Sequence, residues 1–292
     1  IKREGIQCIY SYFGVGMYPK KTPQVVGTAD SNIFFPEIDF WEGYQGLALI
    51  KRKLIDHYRI RGLERAKGII FENEEMLLRY NSIYANGAKG KYIAPSIEIS
   101  SIHDLTRSPH NAIQCLFLCG WQRNKNIFLI PEIIKQADEL GVVLEVTLTA
   151  PRDDSEIMKE FVLKARELNV ADRIVLPGVI ERDQLESIYC KTDYVMLLSQ
   201  LESFSNSIIE AWTFHRVIII SDMAWAHSIC GDAACYVDRN SPLSIVRAIC
   251  SLQTKNDEYQ KIVGSGEKKV RLYPTPVERA YSELAFIKDV IE

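Results

Sequence analysis

Short apolar runs alternate with helical patterns from residue 112 onward, and this alternation constrains the fold more than any other feature of the sequence. The apolar runs lie at 113–119, 142–148, 173–176, 194–198, 217–220 and 235–237. Helical patterns lie between or after them, at 128–140, 154–168, 182–190, 207–214 and 242–252. The runs are continuously apolar, which is typical of parallel strands buried on both faces. The alternation therefore predicts an α/β domain with helices on both faces of a parallel sheet.

A ligand of such a sheet binds outside the carboxyl ends of the strands. No Gly-x-Gly-x-x-Gly pattern follows any of the predicted strands, so the usual dinucleotide fingerprint is absent. A ligand site must therefore be built from other loops at that edge.

The stretch 193–222 reads as strand, polar loop, helix and strand, and it carries the strongest candidate site. If the helix begins at Asn206 or Ser207, its first free amides favour an anion, phosphate above all. Glu202 lies in the loop and Glu210 lies one turn after Asn206. Because carboxylates accept strong hydrogen bonds from sugar hydroxyls, the spacing predicts a ligand with phosphate at the helix end and hydroxyl groups beside it.

The first half has its own strand pattern, with apolar runs at 6–13, 24–28, 67–72 and 91–95. Residues 96–111 are polar and indicate a linker between two domains. Prolines precede a last helix at 277–291, which we expect to leave the second domain and pack back on the first. The predicted domains are 1–108 with 275–292, and 109–274.

Composition excludes several classes of protein. The formal net charge of -3 carries no general nucleic-acid signature, and no run of 18 apolar residues is present to span a membrane. The seven cysteines are scattered without zinc-ligand spacing, which favours reduced thiols in the cytoplasm. The chain begins at Ile1 without a methionine, and we expect that an N-terminal segment of the first domain is missing.

A basic run at 51–67 has two interpretations. It holds seven Lys and Arg residues against Asp56 and Glu64, and it overlaps the end of a helical pattern at 41–66. The run is either a solvated helix face or a surface that attracts anionic lipid or a phosphate-linked acceptor. Both interpretations remain open on the sequence alone.

Four pieces of the second half carry a family likeness when they are taken in order. They are Phe-Leu-Cys-Gly at 117–120 with Lys125 and Asn126, the loop 173–180 with Leu185 and Tyr189, the Glu202 and Glu210 pair, and 229–238. Over residues 112–252 this set resembles the donor-binding domain of retaining glycosyltransferases of family 4, group 1. The resemblance implies the GT-B fold, in which two Rossmann-like domains face a cleft.

The resemblance also implies a role for each site residue. Glu202 would bind hydroxyls of the transferred sugar, Glu210 would bind the ribose, and Lys125 with Arg123 would neutralise the departing diphosphate. Nucleotide-sugar-binding positions would be Gly120, Ile180, Phe204, Ser205, Asn206 and Ser207. Neither a metal nor a cofactor is expected, because the resemblance implies that Lys125 and Arg123 stabilise the leaving diphosphate. The family retains configuration, so no protein nucleophile is expected either.

The function implied is transfer of a sugar to a glycan or lipid-linked acceptor in surface polysaccharide synthesis, in the cytoplasm at the inner face of the membrane. The sequence departs from the family at Trp121, where arginine is usual, and at Ser203 and Ser205, where glycines are usual. No histidine stands near Asp30, where the family often has a catalytic one. These departures support the alternative of an inactive accessory subunit that binds a nucleotide sugar. An epimerase on the same architecture fits less well, because no acid–base group is evident.

Overall fold

The computed structural model describes residues 5–14, 22–84, 87–97 and 111–292. The chain divides into two compact units. The first comprises Ile1–Glu98, Leu201–Phe204 and Tyr273–Glu292, and the second comprises Ile99–Gln200 and Ser205–Leu272. Most of the predicted linker, 98–110, lies outside the described residues, so the predicted domain boundary at 108 stays a prediction.

The first unit contains a parallel four-stranded sheet. Its strands are β1 (Ile9–Ser11), β2 (Gln24–Thr28), β3 (Gly68–Phe71) and β4 (Lys89–Tyr92), in the spatial order β1-β2-β3-β4. Helix α1 (Gly46–Arg65) connects β2 to β3, and α2 (Glu74–Ile83) connects β3 to β4. The predicted strand at 91–95 is wrong by about two residues, because hydrogen bonding to β3 begins at Lys89 and ends at Tyr92.

Local chemistry explains two details of the first unit. Asn73 caps α2 by accepting a hydrogen bond from the amide of Glu75, and Glu74 and Glu75 lie in the first turn, where the helix dipole favours acids. Gly27 is required for packing, because a Cβ atom there would lie 2.0 Å from the carbonyl oxygen of Tyr12. A loop after β1 can therefore cross directly over β2.

The second unit contains a parallel six-stranded sheet. Its strands are β5 (Ile113–Phe117), β6 (Leu144–Leu148), β7 (Ile174–Val175), β8 (Tyr194–Leu197), β9 (Val217–Ser221) and β10 (Cys235–Val237). The spatial order is β10-β9-β8-β5-β6-β7. β8 and β9 are buried along their whole length, which agrees with their continuous apolar sequences. The predicted α/β class with two parallel sheets is confirmed.

Helices surround this second sheet. They are α3 (Ile130–Glu139), α4 (Glu156–Glu167), α5 (Leu185–Cys190), α6 (Asn206–Thr213), α7 (Ala224–Cys230), α8 (Pro242–Thr254) and α9 (Asn256–Val270). One core packs alternate residues of the strands, on one face of the sheet, against α3, α4 and α8; it includes Phe117, Ile133, Phe161, Met196 and Ile249. The pattern did not predict α7 or α9. None of the helices in the described ranges is long and apolar enough to cross a membrane.

The C-terminal helix α10 (Pro276–Ile291) belongs to the first unit, as predicted. Thr275 and Glu278 form a capping box at its start, and Pro276 occupies the first turn. The helix packs so closely on β3 that a Cβ atom at Gly68 would lie 2.7 Å from the Val290 side chain.

Candidate functional site

The candidate site lies at the topological switch point of the second sheet. β5 and β8 are neighbours, but the chain moves outward from β5 toward β7 on one side and from β8 toward β10 on the other. At such a point two consecutive loops diverge at the carboxyl edge and leave a crevice for a ligand. The loop that follows Phe117 and the loop that follows Leu197 leave this edge side by side, because Leu116 is in register with Val195.

Main-chain atoms at the base of the β8–α6 loop are anchored by neighbouring loops. The amide of Gln200 donates a hydrogen bond to the carbonyl of Asn124 at 2.8 Å. The Arg239 guanidinium donates to the carbonyl of Leu198 at 3.2 Å, and the Asn126 side chain donates to the carbonyl of Arg239. Asn126 has a left-handed backbone with φ of 62°, a conformation that asparagine adopts more readily than most residues. Loops after β5, β8 and β10 are thus tied together.

Two more side chains complete this anchor. The Ser221 hydroxyl, at the end of β9, donates to the carbonyl of Ser199 at 2.8 Å, and the indole of Trp225 donates to the carbonyl of Gln200 at 3.2 Å. We define the loop anchor as Asn124, Asn126, Ser221, Trp225 and Arg239, which hold residues 198–200. Apart from Asn126, the sequence interpretation assigned none of these residues to the site.

Helix α6 begins at Asn206, after the five residues 201–205 that follow this anchored segment. Ser205 is the N-cap residue with an extended backbone, and its side chain makes no capping hydrogen bond to the helix. Asn206 is exposed and Ser207 is buried. The amide of Ile208 donates to the carbonyl of Ser205 at 3.1 Å, so an anion at this helix end would bind the amides of Asn206 and Ser207. The phosphate position stays a prediction.

Glu210 lies on the second turn of α6 and is oriented by Tyr189. The buried Tyr189 hydroxyl donates to a carboxylate oxygen of Glu210 at 3.3 Å, and the Tyr189 ring stacks on Phe214 at 4.4 Å between centroids. Burial raises the pKa of Glu210 above its usual range, while the Tyr189 hydrogen bond and the charge of Arg182 act in the opposite direction. Burial and the Glu210 charge hold the Tyr189 pKa well above its ordinary value, so Tyr189 stays a donor.

The predicted cationic residues lie in the 3-10 turn Arg123–Lys125 after β5. The Arg123 guanidinium forms an ion pair with Glu160 of α4 at 2.6 Å and lies 5.1 Å from the centroid of the Phe128 ring. Both side chains of this ion pair are about half exposed, at 46% and 52%, so the pair contributes little to stability. Arg123 can therefore leave Glu160 and pair with a more highly charged anion. Lys125 is half-buried two residues further along.

Gly120 and Trp121 precede this turn and differ in their roles. A Cβ atom at Gly120 would meet no atom within 4 Å, so the space in front of this residue is open. Trp121 donates from its indole to the carbonyl of Pro151 at 2.6 Å and packs on the Phe161 ring. The arginine expected at this position is therefore replaced by a residue that fastens the β5 and β6 loops to α4.

The other predicted residues lie in two further loops. Glu202 and Phe204 are half-buried in Leu201–Phe204, the part of the β8–α6 loop that groups with the first unit, and the Phe204 ring lies 5.8 Å from that of Tyr273. Ile180 is half-buried in the loop after β7, close behind Gly178 with its positive φ of 93°.

The chemistry of the second unit's site follows from these contacts. An open helix end offers amides to phosphate, and an oriented carboxylate one turn later offers acceptors to hydroxyl groups. The turn with Arg123 and Lys125 adds positive charge beside them. The set suits a ligand that combines phosphate and sugar hydroxyls. Among the described residues, no group of three or more His, Cys, Asp or Glu side chains has the arrangement of a metal site.

Comparison with protein families gives a match over the same part of the chain. Residues 114–255 match the family model described as glycosyl transferases group 1. The match includes both cationic residues, the loop anchor and helix α6. No curated protein sequence gives a significant match to the chain.

Comparison with solved structures extends the likeness to both units. Sucrose-phosphate synthase from Thermosynechococcus elongatus is 13% identical with a TM-score of 0.75, over 92% of this chain and 68% of that one. A UDP-forming trehalose-phosphate synthase from Burkholderia xenovorans is 14% identical with a TM-score of 0.71, over 93% and 69%. HepE of Anabaena, solved with UDP and glucose, is 13% identical with a TM-score of 0.70, over 92% and 72%. At sequence identities this low, the structural matches show a shared fold and nothing more.

Proposed function

We propose that this protein transfers a sugar from a nucleotide diphosphate sugar to a glycan or lipid-linked acceptor, because residues 114–255 match the group 1 glycosyl transferase model and the chain shares its fold with solved glycosyltransferases. The observation that carries the proposal is Glu210, held by Tyr189 one turn into a helix whose amino end is open. At this spacing the Glu210 carboxylate can bind the ribose of a ligand while the amides at the start of α6 bind the diphosphate of the same ligand.

In the proposed complex the ribose hydroxyls donate to Glu210, and the diphosphate accepts from the amides of Asn206 and Ser207. Ile180 contributes its backbone near the base, and open space at Gly120 admits the phosphates. Glu202 and the Ser205 and Phe204 amides meet the hydroxyls of the transferred sugar. HepE was solved with UDP, so UDP is the first nucleotide to test.

The proposed reaction breaks the bond between the anomeric carbon and a phosphate oxygen and forms a bond to the acceptor oxygen on the same face. The acceptor proton passes to the departing phosphate, so the configuration is retained without a protein nucleophile. Lys125 and Arg123 stabilise the negative charge that develops on the leaving diphosphate. Other enzymes use a metal ion to stabilise this negative charge. We propose that Lys125 and Arg123 do so here and that the reaction proceeds without a metal.

Calorimetric titration with UDP, GDP and ADP tests the site. We expect Glu210→Ala and Lys125→Ala each to weaken nucleotide binding by about 10- to 100-fold, as loss of a charged hydrogen-bonding partner does. The matched controls are Glu139→Ala and Lys135→Ala, which remove exposed charges from α3. The proposal fails if no nucleoside diphosphate binds, or if the two site variants bind as tightly as the controls.

Two observations favour the alternative of an inactive subunit that binds a nucleotide sugar. Arg123 is paired with Glu160, and Ser203 and Ser205 replace the glycines expected around the donor sugar. Release of nucleotide from a panel of nucleotide sugars, in the presence of candidate acceptors, separates the two functions. Tight nucleotide binding without turnover in every combination would favour the accessory subunit.

The biological setting that fits the proposed reaction is assembly of a surface polysaccharide at the cytoplasmic face of a membrane. A lipid-linked acceptor would be presented there, on the same side as the nucleotide sugar. Turnover with a lipid-linked glycan, compared with the same glycan free in solution, tests this setting. Equal rates for the two acceptors would contradict it.

A further inference from the structure

Arg152 joins the loops that follow β6 and β7 at the carboxyl edge of the second sheet. Its Nε atom donates a hydrogen bond to the carbonyl of Leu176 at 2.6 Å. The preceding residue is fixed as well, because the Trp121 indole donates to the carbonyl of Pro151 at 2.6 Å. β6 and β7 are paired neighbours in the sheet, so their loops leave this edge side by side. Arg152 is therefore held where the two loops meet.

Most of the Arg152 guanidinium remains available to a ligand. The residue is exposed, and its terminal NH2 groups have no partner in the ranges that the structure describes. The neighbouring Asp153 is engaged elsewhere, since it accepts a hydrogen bond from the amide of Ser155, the N-cap residue of α4. A guanidinium carries donors only, arranged in a planar fork. This fork can bind a flat group that presents acceptor atoms at its edge.

The loop after β7 offers an open and partly apolar surface beside Arg152. A Cβ atom at Gly178 would meet no atom within 4 Å, and Val179 is 66% exposed. Burial raises the pKa of Glu210, and the charge of Arg182, further along this loop, opposes that shift. The loop therefore extends from Arg152 toward the carboxylate of the proposed ribose site.

We propose that Arg152 selects the nucleobase of the donor and favours a base with carbonyl oxygens at its edge. This inference rests on the proposed function, because it places the base beside a ribose that Glu210 holds. A nucleobase has apolar faces and a polar edge. The exposed Val179 suits such a face, and the planar set of donors on Arg152 suits such an edge.

The hydrogen-bonding edges of the bases decide which of them the Arg152 fork accepts. Guanine presents two acceptors, O6 and N7, and uracil presents the carbonyl O4 that it shares with thymine. Adenine presents an amino group beside its N7, and this donor would face the donors of the guanidinium. A mismatch that leaves polar groups unpaired discriminates more strongly than the loss of an apolar contact does. UDP or GDP, and not ADP, is therefore the preferred nucleotide.

Calorimetric titration of the full chain with UDP, GDP and ADP tests this selection. We expect UDP or GDP to bind about 10- to 100-fold more tightly than ADP, the range that one hydrogen bond to a charged group supplies. Arg152→Ala should reduce this preference by about tenfold or more, because it removes the donors that a carbonyl edge satisfies. Val179→Ser should weaken all three nucleotides alike, by about threefold to fivefold, because contact with the face of a base is common to all bases.

Two further variants separate selection from the fastening of the loops. Arg152→Lys keeps the charge and a donor for the carbonyl of Leu176 but lacks the planar fork, so it should also lower the preference over ADP. The matched control is Arg166→Ala, which removes an exposed arginine from the last turn of α4 and should leave all three affinities unchanged. Circular dichroism and thermal unfolding of each variant confirm that it is folded.

Three results would overturn the inference. The first is a wild-type chain that binds ADP as tightly as UDP and GDP. The second is equal weakening of all three nucleotides by Arg152→Ala, which would leave this residue only the fastening of two loops. In both cases the dependence of binding on Glu210 and Lys125 remains, so the proposed function stands. The third is a wild-type chain that binds no nucleotide, which overturns the proposed function and this inference with it.

Discussion

At the scale of single residues, the pairing of Tyr189 with Glu210 is the contact on which the proposed ribose site depends. Sequence spacing indicated Glu210, because a carboxylate one turn after a helix start is a local pattern. It did not indicate the role of Tyr189, which lies 21 residues away and meets Glu210 only when α5 and α6 pack together. A polar partner brought in by tertiary structure leaves no periodic signal in the sequence.

Replacing Tyr189 by phenylalanine should weaken nucleotide binding about threefold to tenfold and reduce stability by about 1 kcal/mol, the usual contribution of one hydrogen bond. Calorimetry and urea unfolding measure the two effects. Tyr84→Phe is the matched control, since the Tyr84 hydroxyl donates to the carbonyl of Ile33 in the first unit. It should lose similar stability and keep its nucleotide affinity. Unchanged nucleotide affinity in Tyr189→Phe would contradict the proposed orienting role.

Nucleotide binding should also depend on pH through Glu210. Its pKa is raised above 4.5 by burial, so on acidification this carboxylate takes up a proton at a higher pH than an exposed glutamate does. A protonated Glu210 loses acceptor strength toward the ribose, so affinity should fall as pH falls through this raised pKa. Calorimetry across this range, with Glu210→Gln beside the wild type, measures the effect. The variant should bind weakly with a flatter pH profile; an equally steep one would assign the dependence to another group.

At the scale of helices and strands, β8 and β9 were predictable because each is a continuous apolar run that is buried along its whole length. β6 alternates buried and half-buried residues, and the two-residue β7 is partly exposed. Helix α7 was not predicted, because it has only seven residues and Met223 precedes it without a side-chain cap. Helix α9 was not predicted either, since Gly264 and Gly266 lower its helix propensity. Packing explains Gly266, because this residue faces Trp212 of α6 with no room for a side chain.

The two glycines of α9 make a matched pair for measuring that packing. A Cβ atom at Gly266 would lie 2.4 Å from the Trp212 ring, whereas one at Gly264 would meet nothing within 4 Å. Gly264→Ala should stabilise the protein by about 0.5–1 kcal/mol through helix propensity. Gly266→Ala should destabilise it by about 1–2 kcal/mol, because overpacking exceeds that gain. Chemical denaturation measures both, and a stabilised Gly266→Ala would show that α6 and α9 are not in close contact.

At the scale of the whole molecule, a buried ion cluster joins distant parts of the chain in the first unit. Arg279 of α10 pairs with Glu72, directly after β3, at 2.9 Å and with Glu283 at 2.8 Å, and all three are nearly inaccessible to solvent. The ring of Tyr12 lies 5.1 Å from the guanidinium, and the Tyr10 hydroxyl faces Glu283. Burial raises the pKa of Glu72, and the charge of Arg279 opposes this shift.

Replacing Arg279 by methionine should cost about 3–5 kcal/mol, because it leaves two buried carboxylates without their cation. The folded-state pKa of Glu72 would then rise further above its unfolded value. Stability should therefore increase as pH falls through that folded-state pKa, and the deficit of the variant should shrink in acid. Arg271→Met, which removes an exposed pair with Glu267, is the control and should cost less than about 0.5 kcal/mol. A deficit in Arg279→Met that does not change with pH would contradict the electrostatic cause.

For helix α1, the sequence predicts the charge but not which of its residues are exposed. The excess of basic residues at 51–67 is visible in the sequence, but leucines at helical spacing normally indicate a buried face. Leu47 and Leu54 of α1 are nevertheless exposed, because the contacts of Asp56 and Arg59 turn the other side of the helix toward the protein. Orientation of a helix about its own axis is set by its tertiary partners, so the exposure of these two leucines was not predictable.

The loop anchor has a consequence for how the site can change. It holds residues 198–200 through their main-chain atoms, and its donors and acceptor come from outside this loop. The side chains at 201–205 supply none of these bonds, so we predict that substitutions among them leave the backbone path at 198–200 unchanged.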